Sequence, residues 1–249
     1  MPTTVTVLGS SDAFNSAGRG NACYLVRDAE GAFCVDFGPT ALCALKAARF
    51  EPSELDAVLL THLHGDHFAG LSQLFIDAQF RAPRNRPLIV AGPKGTRRTV
   101  QALHALCFGR SAKAAPLAVR YVEWRPHSVV HVAGRRLETF PARHMRPSDG
   151  ALMYRVKTGR ATLAFTGDTG WTADLVALAE GTGLLVAECT EWSGEAGKHL
   201  TWEVLQARLP QLKARRILLS HLSGEARRKL ARGLPRKVLL ADDGMSLRV

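Results

Sequence analysis

The stretch Leu59-Leu60-Thr61-His62-Leu63-His64-Gly65-Asp66-His67-Phe68-Ala69-Gly70 places three histidines and one aspartate within six residues. The apolar run 57–60 reads as a buried strand. The periodicity behind it, Phe68, Leu71, Leu74 and Phe75, reads as a helix. The histidines therefore fall in the turn at the C-terminal end of a strand, where α/β folds place their sites. Imidazole and carboxylate at this density suit zinc or another borderline divalent metal. His62 and His64, alternate residues of an extended turn, can point to one side and hold one ion. Asp66 and His67 lie past the bend that Gly65 eases and can face a second. A solvated polar loop is the plain alternative, and the apolar flanks argue against it.

Further along, His144, Asp168 and His221 each follow an apolar strand, over 136–141, 161–165 and 216–220. The string His-x-His-x-Asp-His after a strand, followed by these three in this order, resembles the signature of the metallo-β-lactamase fold superfamily over nearly the whole chain. The resemblance implies that His62, His64 and His144 hold one metal, that Asp66, His67 and His221 hold the other, and that Asp168 bridges both. The chemistry agrees, because a carboxylate has two oxygens and can span two cations while an imidazole binds one. Two zinc ions, with manganese or iron as alternatives, would share a hydroxide of lowered pKa as the nucleophile. Asp66 would also orient it. A carboxylate placed like Asp36 commonly supports the metal site from behind in this superfamily; its plain reading is a turn residue before Gly38-Pro39.

Two more segments narrow the class. Val186-Ala187-Glu188-Cys189-Thr190 and Lys198-His199-Leu200-Thr201 resemble motifs of the tRNase Z branch and its phosphodiesterase relatives. So do the loop Gly9-Ser10-Ser11-Asp12-Ala13-Phe14 and the closing Asp242-Asp243-Gly244-Met245. In that branch a His donates a proton to the leaving oxygen and a Glu orients and charges it. Carried over, the pair is Glu188 and His199. The branch usually has His where this chain has Ala187. The plain reading makes Glu188 a strand-end charge and His199 a neighbour of a helix N-cap.

Members that process precursor tRNA generally carry a long Gly- and Pro-rich arm. In the bacterial form it lies between the third-motif His and the bridging Asp. Here that interval, His144 to Asp168, is filled by a hairpin about Thr158-Gly159-Arg160. The resemblance thus implies a substrate smaller than a folded precursor tRNA, or one held differently. The related phosphonate-operon phosphodiesterase also lacks the arm and cleaves small cyclic phosphodiesters. It often carries a Cys-rich metal loop that this chain does not have.

Composition bounds the rest. A chain of 249 residues, 46% hydrophobic, can bury a sizeable core. Apolar runs fall short of the ~20 residues that span a bilayer, and the start Met1-Pro2-Thr3-Thr4-Val5 is unlike a signal peptide. A cytoplasmic protein without membrane attachment is expected. The five cysteines are odd in number with no Cys-x-x-Cys pair, and several, in apolar strand contexts, read as reduced core residues. The net charge of +11 favours an anionic partner, a phosphodiester or RNA; a solubilising Arg-rich surface is the alternative. The cations form four clusters: Arg81, Arg84 and Arg86; Lys94, Arg97 and Arg98; Arg208, Lys213, Arg215 and Arg216; Arg227, Arg228, Lys229 and Arg232. A homodimer is left open.

Strands outnumber helices, yet helices recur between them. This predicts an α/β (α+β) chain, a four-layer αββα sandwich of the metallo-β-lactamase type, as one domain over 1–249. Its halves, roughly 1–125 and 126–249, read as similar β-rich units. Helix 96–108 is expected to bury Val100, Leu103, Leu106 and Cys107 on one face, with His104 structural. The function expected is a dizinc phosphodiesterase on small or cyclic phosphodiesters or RNA, ribonuclease Z-like. A thioester, lactone or β-lactam hydrolase would use the same metal ligands but does not need the Glu188–His199 pair. A nucleic-acid-binding protein with a relict site is the third reading, and the complete ligand set argues against it.

Overall fold

A computed structural model describes residues 1–81, 84, 86–109, 117–146, 150–194 and 197–249. Within them the chain forms two seven-stranded mixed sheets. The first contains β1 (Thr4–Gly9), β2 (Cys23–Asp28), β3 (Gly31–Val35), β4 (Leu55–Leu59), β5 (Leu88–Pro93) and β6 (Val119–Trp124). The second contains β7 (Val129–Val132), β8 (Arg135–Pro141), β9 (Leu152–Thr158), β10 (Ala161–Phe165), β11 (Leu184–Glu188), β12 (Arg216–Ser220) and β13 (Val238–Leu240). The last strand, β14 (Ser246–Arg248), returns to the first sheet and pairs antiparallel with β1, Val5 opposite Leu247. The halves expected from sequence are therefore interlocked, because the C-terminus closes the N-terminal sheet.

Alternation along the strands explains the layers. Ala57 and Leu59 of β4, Leu184 and Val186 of β11 and Leu218 of β12 enter one central apolar cluster between the sheets. The intervening Val58 faces an outer cluster on the first sheet, and Leu185, Ala187, Ile217 and Leu219 face an outer cluster on the second. Strands buried on both faces read as continuous apolar runs, which is why they were legible. Helices α1 (Ala41–Ala47), α3 (Leu71–Phe80) and α4 (Thr96–Phe108) contribute to the outer cluster of the first sheet, and α5 (Asp174–Ala179), α6 (Trp202–Arg208) and α7 (Gly224–Leu230) to that of the second. The result is the αββα sandwich. Thr201 and Ser223 cap α6 and α7 by accepting from the amides of Val204 and Ala226.

Two expectations need correction, and the cysteine reading is narrowed to three residues. The helix after the His-rich turn is broken: a single turn, α2 (Gly65–Phe68), precedes α3, and Ala69 and Gly70 separate them. On α4, Val100 is buried and Leu103 half-buried, but Leu106 is 84% exposed and Cys107 is exposed. The helix rolls its last turn off the sheet. Cys43 is exposed as well, so only Cys23, Cys34 and Cys189 are core residues; all five are free thiols. In the loop that carries Arg81, Arg84 and Arg86, residues 82, 83 and 85 lie outside the described residues. Among the described residues, no helix is long and apolar enough to cross a membrane.

Candidate metal centre

Loops from both sheets converge at one edge of the sandwich. His62 and His64 follow β4, Asp66 and His67 ride on α2, His144 follows β8, Asp168 follows β10 and His221 follows β12. The parallel strands β10, β11 and β12 all end here, the position where such sheets present their sites. His221 and Asp36 are non-glycine residues in the left-handed region, at φ 57° each. Such a backbone costs of order 1–3 kcal/mol and marks functional positions. At the end of β12 it swings an imidazole out of strand direction and into the cluster.

The seven donors form two sets that share Asp168. In the first, His64 Nδ1 stands 3.2 Å from His62 Nε2 and 2.9 Å from His144 Nε2. Asp168 Oδ2 lies 3.8 and 3.7 Å from the same two Nε2 atoms. The second set is more regular. His67 Nε2 is 3.2 Å from Asp66 Oδ2, 3.3 Å from Asp168 Oδ1 and 3.3 Å from His221 Nε2. His221 Nε2 is 3.3 Å from Asp66 Oδ2 and 3.4 Å from Asp168 Oδ1. Five of the six separations in this set are thus 3.2–3.4 Å, the spacing of two ligands that each sit roughly 2.0 Å from one tetrahedral ion.

Proton placement leads to the same conclusion. Thr61 Oγ1 donates to Asp36, so His62 Nδ1–H donates to Thr61 Oγ1 at 3.1 Å. His67 Nδ1–H donates to Asp36 Oδ2 at 2.8 Å, and His144 Nδ1–H to the Lys198 carbonyl at 3.0 Å. Thr190 Oγ1 donates to Glu188 Oε2 at 2.7 Å, so His221 Nδ1–H donates to Thr190 at 3.0 Å. In the His62 and His144 rings the outward nitrogen keeps the proton and the inward Nε2 offers a lone pair. In His67 and His221 burial is outweighed by the charge of Asp168, with Asp36 and Asp66, which raises both, so an ion bound there would take the place of a proton at Nε2. Asp168 Oδ1 is buried and without a hydrogen-bond donor. Burial holds His62 well below its ordinary pKa, and burial with neighbouring imidazoles lowers His144 to about 4. Neutral imidazoles converge on the first point, carboxylates and imidazoles on the second, and positive charge there satisfies both, so the residues present fit divalent metal ions.

Beside this centre stands a carboxylate–imidazole pair, a buried Glu188 and a half-buried His199. Glu188 Oε2 accepts from His199 Nδ1 at 3.2 Å, and Thr190 Oγ1 lies 3.3 Å from the same nitrogen. The Thr169 amide donates to the other Glu188 oxygen. The His199 ring lies parallel to His221, 8° between planes and 5.9 Å between centroids, and 4.7 Å from His144. Burial opposes charge on His199, but the hydrogen bond and charge of Glu188 and the charge of Asp168 outweigh it and raise the pKa to about 9. Burial also raises Glu188, helped by the charge of Asp168.

All nine residues singled out from sequence thus meet at one place. Sequence reasoning gave no role to Thr61, Thr190 or the Lys198 carbonyl, which orient three imidazoles. Thr190 had a signal: it lies two residues past Glu188, on the same side of an extended segment. Asp36 stands behind His67 and Thr61, as expected. His104 is remote from the centre, 3.3 Å from Ser72 Oγ and edge-on to Phe75.

Comparison with known proteins agrees with this arrangement. A profile described as a beta-lactamase superfamily domain matches residues 34–222. Ribonuclease Z of Mycobacterium sp. (strain KMS) is 35% identical over 192 residues, covering 73% of this chain and 67% of its own. The metallo-beta-lactamase fold protein YhfI from Bacillus subtilis superposes with a TM-score of 0.82 at 20% identity, over 100% of this chain and 99% of its own. A diphosphatase from the PhnP family superposes at 0.78 with 18% identity, over 99% and 98%. The chain belongs to the beta-lactamase superfamily, in the branch that includes ribonuclease Z.

Proposed function

We propose that this protein is a metal-dependent phosphodiesterase acting on small or cyclic phosphodiesters or RNA. The observation that carries the reading is the Glu188–His199 pair beside the two donor sets. Hydrolysis of a thioester, lactone or β-lactam does not require it. The relatedness to ribonuclease Z supports the same class.

In this reading His62, His64, His144 and Asp168 hold one divalent ion, and Asp66, His67, His221 and Asp168 the other, two zinc ions by preference with manganese or iron as alternatives. Such ions supply Lewis acidity and lower the pKa of water. Asp66, the least buried carboxylate of the set at 12%, also accepts a hydrogen from the attacking water and orients it. Glu188 fixes Nδ1 of His199, so Nε2 carries the mobile proton. The hydrogen bond and charge of Glu188 favour the doubly protonated ring. As the phosphorus–oxygen bond breaks, Nε2–H passes its proton to the leaving oxygen, and the ring becomes neutral while still donating to Glu188. A cytoplasmic setting, where RNA and reduced thiols coexist, belongs to the same proposal.

The test compares bis(p-nitrophenyl) phosphate, a chromogenic cephalosporin and a thioester, with wild-type protein and Asp168→Ala, alongside metal content. Turnover of the diester by the wild type is expected, with loss of at least one metal and nearly all activity in the variant. Turnover of the cephalosporin or thioester alone would reject the phosphodiesterase reading. Full metal occupancy in Asp168→Ala would reject the bridging role.

A further inference from the structure

A groove of about 870 Å³ has Lys94, Arg97, Arg98, Leu63, Met145 and Glu123 on its walls and touches the metal centre only through chain neighbours of its donors. Leu63 lies between His62 and His64, and Met145 follows His144, so the groove adjoins the first donor set. None of Asp66, His67, Glu188, His199 or His221 lines it. Lys94, Arg97 and Arg98 are exposed. Among the described residues no carboxylate lies within ion-pair distance of any of the three. The groove's own carboxylate, Glu123, is engaged otherwise: its Oε1 accepts from the Arg97 amide at 3.0 Å.

The other clusters are partly spent within the fold. Arg84 donates to the carbonyls of Pro52 and Ser53, and Arg86 pairs with Asp56. Arg227 holds Ser10, the Ala241 carbonyl and Asp242, Lys229 pairs with Glu225, and Arg208 covers the Trp171 ring. Among the described residues the three groove cations thus have no carboxylate in ion-pair contact, and they outnumber the one carboxylate, Glu123, that shares their concavity. Such a groove tracks a phosphodiester backbone. Its lining contains no aromatic ring, so it offers charge rather than base stacking.

We infer that Lys94, Arg97 and Arg98 bind the phosphates of a single-stranded oligonucleotide that continues past the scissile bond on the His62–His64–His144 side. The inference rests on the phosphodiesterase reading for the scissile bond, but the binding does not. A duplex presents its phosphates on a convex surface, whereas one strand can lie in a groove that ends at a recessed metal centre.

The test is fluorescence anisotropy of labelled 10-mer RNA and 10-mer DNA. The protein is the full-length, metal-loaded chain carrying His199→Ala to slow cleavage. Replacing Lys94, Arg97 and Arg98 together by Gln is expected to weaken binding on the order of 10²-fold at 50 mM salt and to reduce the slope of log K against log salt by about 2. Exchanging Lys213, Arg228 and Arg232 for Gln, an equal change of net charge, is expected to leave both nearly unchanged. Equal losses for RNA and DNA assign the groove to phosphate alone; loss for RNA only adds contacts to the ribose. Unchanged affinity and slope in the groove variant overturn the inference, and so does an equal loss in the control variant. So does wild-type binding to phosphatidylserine vesicles without binding to either oligonucleotide. Groove-dependent binding in a protein that turns over no phosphodiester would reject the hydrolase reading and leave the groove assignment standing.

Discussion

At the scale of single residues, the site is a problem in where protons reside. A metal-binding imidazole needs its proton on the far nitrogen, and each buried ring here has an acceptor placed for it: Thr61, Asp36, Lys198 and Thr190. His199 differs, because its anchored nitrogen faces a carboxylate and its ring is 35% exposed, as a group that must exchange protons requires. His199→Ala should retain the metals and lose phosphodiester turnover by roughly 10²–10⁴-fold, the usual scale for a general acid. The loss should shrink for a nitrophenolate leaving group, which needs no proton. Equal losses for good and poor leaving groups would remove His199 from this role. The sign of the pH dependence follows. The acid form exists below the pKa, which is raised to about 9, and divalent cations nearby lower it from there. Turnover of a poor leaving group should therefore fall as pH rises toward 9, and His199→Ala should abolish that limb of the rate profile.

Among the elements, the single turn α2 decides the second donor set. Four residues of helix have little stability of their own. The turn is held by hydrogen bonds to the loop after β3: the Phe37 amide donates to the His67 carbonyl at 2.6 Å, and the Gly70 amide to the Phe37 carbonyl at 3.1 Å. The approach is close enough to demand glycine. A Cβ on Gly38 would stand 2.2 Å from the Asp66 carbonyl oxygen, and one on Gly70 would stand 2.1 Å from the Gly38 carbonyl oxygen. Gly70→Ala must push α2 away from the loop. It should cost about 1–3 kcal/mol, as overpacking does, and displace Asp66 and His67 together. Thermal unfolding and metal content check this: a lower Tm with reduced metal occupancy is expected, and an unchanged metal content would show that α2 does not need this packing.

For the molecule as a whole, the two sheets act as a clamp on the centre. His62, His64, Asp66 and His67 come from the first sheet's side, and His144, Asp168, Glu188 and His221 from the second. Neither sheet alone assembles a complete donor set. The interval between His144 and Asp168 contains β9 and β10, paired in register from Thr158 and Ala161 to Tyr154 and Phe165. With the interval filled by this hairpin, affinity for a folded tRNA body rests on surface charge, which falls steeply with salt. At about 150 mM salt a short RNA or a cyclic nucleotide is expected to be turned over better than an intact precursor tRNA. Accurate 3′-end cleavage of the precursor with neither small substrate consumed would reverse that expectation.

The amino-acid sequence alone was enough to place the strands that precede the His-rich turn, His144, Asp168 and His221, and to single out nine residues that the structure brings together. Strands buried on both faces are continuous apolar runs, and the donors sit immediately after them, so local pattern and function coincide. It was not enough to show that β14 returns to β1, because strand pairing across the whole chain leaves no local mark. Nor could it show that the end of α4 leaves Leu106 and Cys107 in solvent, since apolar periodicity identifies a helix face without showing how far the neighbouring sheet extends. Thr61 and Thr190 gained their roles only from tertiary structure: a threonine beside a histidine is ordinary until the ring it orients has a fixed direction. The basic clusters divide in the same way. All four were visible as charge, but only packing decided which arginines are engaged by carbonyls and carboxylates, and which three line a groove beside the metal centre.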